Sequence, residues 1–133
     1  MREHLLKLKA ELKVLSTEIR TFRKQTRESN SILDKSYPLR HDWNQRKQFQ
    51  KVDDYNQKSD TFWKNISSLN SKRMEFRIKH ITYCMLRGKT IEQIEPSLRV
   101  PNSYEHSYIR KKATEMIARI LEEVNGEAVR SNS

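Results

Sequence analysis

Leu5, Leu8, Leu12, Leu15, Ile19 and Phe22 recur at alternating steps of three and four residues, and neither Gly nor Pro falls among them. A helix puts such positions on one face, as the a and d places of a heptad, and that stripe packs lengthwise against another helix to leave water. The rest of the chain points the same way. It holds two Gly and three Pro, and β-branched or aromatic residues do not alternate with polar ones over any useful stretch. Of its 133 residues 35% are hydrophobic and 33% charged, enough for one domain with a modest core. The expected class is all-α: an elongated antiparallel helical hairpin, coiled-coil-like, followed by a small C-terminal helical corner.

Four regions follow along the chain. The heptad helix covers residues 3–27. Glu28, Ser29, Asn30 and Ser31, together with the Tyr37-Pro38 pair, predict a break or loop near 29–38, because the residue before a proline is pushed out of the α region. Between Asp42 and Gly88 there is neither Gly nor Pro, which predicts a second long helix with Ser59 as the place for any interruption. Its positions 62, 66, 69, 76 and 83 form a partial seam, with Arg73 and His80 where apolar residues belong, and this seam is the natural partner of the first. Residues 103–124 read as a last helix capped by Ser103, with an apolar face of Tyr108, Ala113, Met116, Ile117, Ile120, Leu121 and Val124, stopped by Asn125-Gly126. The implied division is a hairpin over 1–90, C-terminal helices over 91–126 packed on it, and a disordered tail over 127–133.

The first seam also suits a homodimer. With Leu5 at a, the g places hold Glu11 and Glu18 and the e places hold Lys9 and Arg23, so a parallel dimer sets Glu18 against Arg23. The same acidic edge can equally meet the basic 62–90 segment of its own chain. The hairpin is the preferred reading, with the dimer as its competitor.

Charge is unevenly placed. The chain carries +10, with eight Lys/Arg against three acids in residues 1–27 and seven against one in residues 62–90. Concentrated cations attract polyanions, because each one that neutralises a phosphate releases condensed counterions. On the outer face of the first helix Lys13, Arg20, Lys24 and Arg27 stack opposite the apolar seam. On the second, Lys72, Arg73, Arg77 and Lys79 cluster near Phe76, and Arg87 and Lys89 flank Gly88. Cations interleaved with rings suit a phosphate backbone and an unstacked base, although Phe62, Phe76 and Tyr83 keep the spacing of a core. Trp43 and Trp63 lie off the seam and are the better contact residues for a partner protein, alongside the heptad face itself.

The densest local signal runs from Ile78 to Leu98. An apolar helix ends at Gly88, whose access to positive φ suits the residue just past a helix terminus. Thr90 then caps a short helix, with Gln93 three residues on as in a capping box, and Ile91, Ile94 and Leu98 keep helical spacing.

With Ile81, Cys84, Met85 and Leu86 before Gly88, then Thr90, Ile94, Leu98 and Val100 and the Pro101-Asn102-Ser103 turn, this stretch of about 30 residues resembles the helix-turn-helix of response regulators and sigma factors. Glu95, Pro96 and Glu105 depart from that pattern, standing where it has a small buried, a helical and an apolar residue. The resemblance implies a further helix from about Ser103 that enters the DNA major groove, with Tyr104, Glu105, His106 and Tyr108 near base edges and Arg110, Lys111 and Lys112 beside phosphates.

Other chemistries lack their parts. His4, His41, His80 and His106 are far apart in sequence, and Cys84 lies on an apolar helix face, so neither a metal nor any other cofactor is expected. There is no glycine-rich phosphate loop and no nucleophile elbow, and the chain reads as a non-enzyme. One thiol cannot close a disulfide within the chain, no apolar run resembles a secretory signal, and no segment reaches the length of a membrane span; an intracellular protein without membrane contact is expected. Three classes remain: a small basic helical binder of DNA or RNA, working largely through phosphates as a compact phage or mobile-element regulator would; a coiled-coil adaptor or inhibitor of a larger protein; and a ribonucleoprotein subunit.

Overall fold

The computed structural model describes residues 1–97 and 103–132. Helix α1 spans Arg2–Gln45, α2 spans Phe49–Leu86, α3 spans Ile91–Ile94 and runs into a 3-10 turn at Glu95–Ser97, and α4 spans Ser103–Asn132. No strand occurs among the described residues. The all-α class and the hairpin of α1 against α2, followed by C-terminal helices, are as the sequence predicts.

Three boundaries differ from the sequence reading. The predicted break at 29–38 is absent, and α1 carries Pro38 in its interior. A proline there removes one backbone donor and crowds the carbonyl four residues earlier. Tyr37, Pro38, Leu39 and Asp34 are all exposed, so water can serve the carbonyl that loses its partner. The chain reverses instead at residues 46–48, inside the stretch expected to be helical. Lys47 takes φ 55°, Gln48 N–H donates to the Trp43 carbonyl at 2.8 Å and Lys47 N–H donates to that of Asn44 at 3.2 Å. These two bonds are a Schellman closure with lysine where glycine is usual. Ser59 interrupts nothing. Finally, Asn125-Gly126 does not stop α4, which continues to Asn132 through the stretch predicted as a disordered tail. Gly126 keeps negative φ, and a helical glycine costs only about 1 kcal/mol relative to alanine, which neighbouring turns can absorb.

At Gly88 the prediction and the structure agree. Gly88 has φ 93°, Lys89 N–H donates to the Cys84 carbonyl at 3.1 Å and Gly88 N–H to that of Met85 at 3.0 Å, repeating the closure seen at Lys47. Thr90 N–H then donates to Gln93 Oε1 at 3.0 Å, forming the side-chain half of the capping box that opens α3.

The chain divides into two compact units. The first comprises Met1–Ser16 with Arg73–Ser133, the second Thr17–Lys72. In the first, Ile81, Cys84, Ile94, Ile109 and Ala113 form a buried core, with Met74, Ile78, Tyr83 and Met85 packed against it. Thr82 beside them is fully buried, and its hydroxyl donates to the Ile78 carbonyl at 2.8 Å, so the one buried polar side chain of this helix is satisfied. Leu8 and Leu15 of the heptad are buried in this unit as well. In the second unit only Ile19, Tyr55 and Leu69 are buried, and none of them fully. Its interior is partly polar: Asn65 Nδ2 donates to Ser29 Oγ at 3.0 Å, both half-buried, and a polar pair in an apolar seam fixes helix register.

Candidate nucleic-acid interface

The corner of the first unit is built from three short-range decisions. The Gly88 turn redirects the chain after α2, the Thr90–Gln93 cap starts α3, and the 3-10 turn at Glu95–Ser97 ends it, with Pro96 at a place where a tighter turn needs no long helical ladder. Ile94 of α3 and Ile109 and Ala113 of α4 then meet Ile81 and Cys84 of α2. Ile109 is 1% exposed, and it is the core residue that the sequence reading missed. That reading gave Tyr108 to the apolar face of α4, yet Tyr108 is 41% exposed, as is Leu121 at 42%. The buried stripe is Ile109, Ala113 and Ile120, with Met116 half-buried, at spacings of four, three and four. The spacing of that series is legible in the sequence, one position on from Tyr108.

Burying Ile109 and Ala113 turns the opposite side of α4 outward. Tyr104 is 80% exposed and Lys111 is exposed, and with Tyr108 they stand at spacings of four and three on one face. Lys112 Nζ lies 5.7 Å from the centre of the Tyr108 ring and 3.5 Å from Glu115. Arg110 gives its Nε and Nη2 hydrogens to a Glu95 oxygen, and His106 Nδ1 is 3.9 Å from the same oxygen. The hydrogen bond from Arg110, with its charge and that of His106 behind it, holds the Glu95 carboxyl below the usual carboxylate range. Glu105, expected near base edges, is half-buried and has its own contacts within the chain. Arg87 and Lys89 are exposed beside the Gly88 turn, Arg87 with its guanidinium 5.5 Å from the centre of the Tyr83 ring. Leu98, Val100, Pro101 and Asn102 of the resemblance lie outside the described residues, as does the side chain of Ser103 with its expected cap.

The 62–90 face is less available to a phosphate backbone than its composition suggests. Lys79 Nζ lies 3.2 Å from Glu11 and 3.1 Å from Glu75, and Lys72 Nζ lies 2.8 Å from Glu18. Glu11 and Glu18 are the acidic g edge of the heptad, so the hairpin uses those lysines to seat its own helices. Burial works against the charge on Lys79, but its hydrogen bonds to Glu75 and Glu11 prevail and raise its pKa. Arg73 is half-buried with contacts of its own, while Arg77 is half-buried. His80, between Phe76 at 5.8 Å ring to ring and Cys84 Sγ at 3.7 Å, has its pKa lowered by burial and by Lys89.

The remaining candidates divide by exposure. Arg20, Lys24 and Arg27 are exposed on the outer face of α1 in the second unit, and Lys13 is exposed in the first with contacts of its own. Of the heptad residues offered as a partner surface, Leu8, Leu15 and Ile19 are buried and Leu5, Leu12 and Phe22 half-buried. A partner could reach them only by displacing the chain's own helices, because their apolar face is already covered. Trp63 is 60% exposed with its ring edge-on to Phe62 at 5.4 Å, whereas Trp43 is half-buried beside the turn at 46–48. Among the described residues no group of His, Cys, Asp and Glu could hold a metal ion, and no helix is long and apolar enough to cross a membrane. No protein-family model matches this chain, and no curated protein or solved structure matches it either.

Proposed function

We propose that this protein binds nucleic acid through the corner formed by the end of α2, α3 and the first turns of α4. The observation that carries the reading is the Ile81–Cys84–Ile94–Ile109–Ala113 core, which fixes three helical segments around a glycine turn and leaves Tyr104, Tyr108 and Lys111 outward on one face of α4. A helix presented in this way fits the major groove of a duplex, and tyrosine offers both a hydroxyl and an apolar ring to base edges. Arg87 and Lys89 add positive charge at the same corner for phosphates. The likeness to the helix-turn-helix of response regulators and sigma factors belongs to this proposal, and so does a regulatory role.

Duplex DNA and single-stranded RNA of mixed sequence are the probes, titrated across a salt series. Each phosphate neutralised on a duplex contributes about −0.9 to the slope of log affinity against log salt. A steep negative slope that becomes shallower in K111A and in R87A/K89A supports the corner as the interface. Equal loss on changing Lys72 and Lys79, with no effect of Lys111, would move the interface to the α2 face and sink this assignment.

One observation favours a protein partner instead. In the second unit Tyr37, Phe49 and Trp63 are all more than half exposed, and large exposed aromatics mark contact surfaces. An adaptor working through them would hold its partner with little dependence on salt and would lose it on Trp63→Ala.

A further inference from the structure

We propose that Glu95 is an affinity-setting residue of the nucleic-acid surface, holding Arg110 in an internal ion pair that must be exchanged for a phosphate before Arg110 can contribute to binding. The inference rests on the corner being the nucleic-acid interface. Arg110 directs two of its hydrogens, from Nε and Nη2, to one oxygen of Glu95, so the edge of the guanidinium best shaped for a phosphate faces a carboxylate of the same chain. The pair links the 3-10 turn after α3 to α4, beside exposed Tyr108 and Lys111. His106 faces the same carboxylate at 3.9 Å, and the negative charge of Glu92 also bears on Arg110.

Carboxylate and phosphate compete for the same donors. In water an exposed ion pair gains little net, because solvent screens the attraction and both side chains lose freedom, so the pair stabilises the fold little. Its effect on a polyanion is larger, because Glu95 both occupies Arg110 and opposes the approaching phosphates with a negative charge of its own. Arg110 therefore counts weakly among the phosphate contacts of the unmodified protein. Removal of the Glu95 charge adds it to them.

The test is a double-mutant cycle on duplex DNA of mixed sequence, measured over a salt series with the full chain. E95Q keeps the shape and one acceptor of Glu95 but not its charge. It is expected to bind about ten-fold more tightly, with a salt slope steeper by about 0.9, the value of one additional phosphate contact. In E95Q/R110Q both gains disappear. R110Q costs about two-fold in the unmodified protein and about ten-fold in the E95Q background, whereas E92Q changes affinity by less than two-fold. Both side chains of the pair reach solvent, so the variants should fold, which thermal melting checks.

A gain in E95Q that survives in E95Q/R110Q would mean that charge alone acts, and would overturn the exchange. Equal cost of R110Q in both backgrounds would overturn it too. Binding by the unmodified protein with no gain in E95Q leaves the proposed function standing and removes this inference. Failure of both proteins to bind any probe removes the two together.

Discussion

The two units carry charge alike and pack differently. Lys and Arg exceed Asp and Glu by five in each, fifteen against ten in the first unit and twelve against seven in the second. Yet from Arg73 to Leu86 every residue of α2 is at least half-buried, while over residues 49–72 the same helix is mostly exposed. The difference lies in what α2 has beside it. In the first unit Ile94, Ile109 and Ala113 add a second apolar contact to the helix and close a core. In the second the described interior comes from α1 and α2 alone, and two helices with a partly polar seam can exclude water from only a few positions. Net charge therefore says little about which unit performs a function. What matters is how far the surrounding helices hold a surface still, and a fixed surface is what recognition of a base edge requires.

Four measurements break or sharpen this comparison. The largest effect is expected for Ile109→Ala, which removes a fully buried side chain from the meeting point of three segments and should destabilise the protein by about 3 kcal/mol. Ile66→Ala, at a half-buried place in the second unit, should cost about 1 kcal/mol in the same denaturant titration. Equal losses would erase the distinction between the units.

The two reversals come next. Gly88→Ala meets no neighbour within 4 Å, so its cost is backbone strain at positive φ, about 1–2 kcal/mol. Lys47→Gly removes the same kind of strain at the other turn, and is expected to raise the melting temperature by the equivalent of about 1 kcal/mol. A loss of stability in the second variant would show that the lysine side chain contributes more than its backbone costs.

The third concerns acid. Burial and Lys89 lower the pKa of His80, so below its usual value of 6.5 the unfolded chain binds this proton more readily than the folded one. The contribution of His80 is complete above that pH and is lost as pH falls from there through the lowered value. Melting temperatures between pH 7.5 and pH 5 should therefore drop less in His80→Gln than in the unmodified protein. A parallel decline in both would remove His80 from the account.

The smallest effect is expected from the hairpin's ion pairs. Glu11→Gln disturbs the half-buried Lys79 cluster and should cost about 1 kcal/mol, and Glu18→Gln, whose partner Lys72 is more open to water, at most about 0.5 kcal/mol. The reverse order would indicate that the second unit depends on electrostatics to make up for its thin core.

What could be read in advance was what each stretch encodes locally. The heptad requires a helix with one greasy face, the lack of Gly and Pro keeps the second helix long, and Gly88 followed by Thr90 and Gln93 specifies a turn and a restart through backbone and capping chemistry that involves near neighbours only. Those features need no knowledge of the rest of the chain. Pro38, Lys47 and Gly126 misled for the opposite reason: a proline or glycine is tolerated, and a lysine forced to positive φ, when packing elsewhere exceeds a local cost of about 1–3 kcal/mol. The choice of Ile109 over Tyr108 for the core, the capture of Lys72 and Lys79 by Glu18 and Glu11, and the pairing of Arg110 with Glu95 all join residues far apart in sequence. Only the folded arrangement brings those groups within reach, and it is there that the protein's exposed cations are separated from those already spoken for.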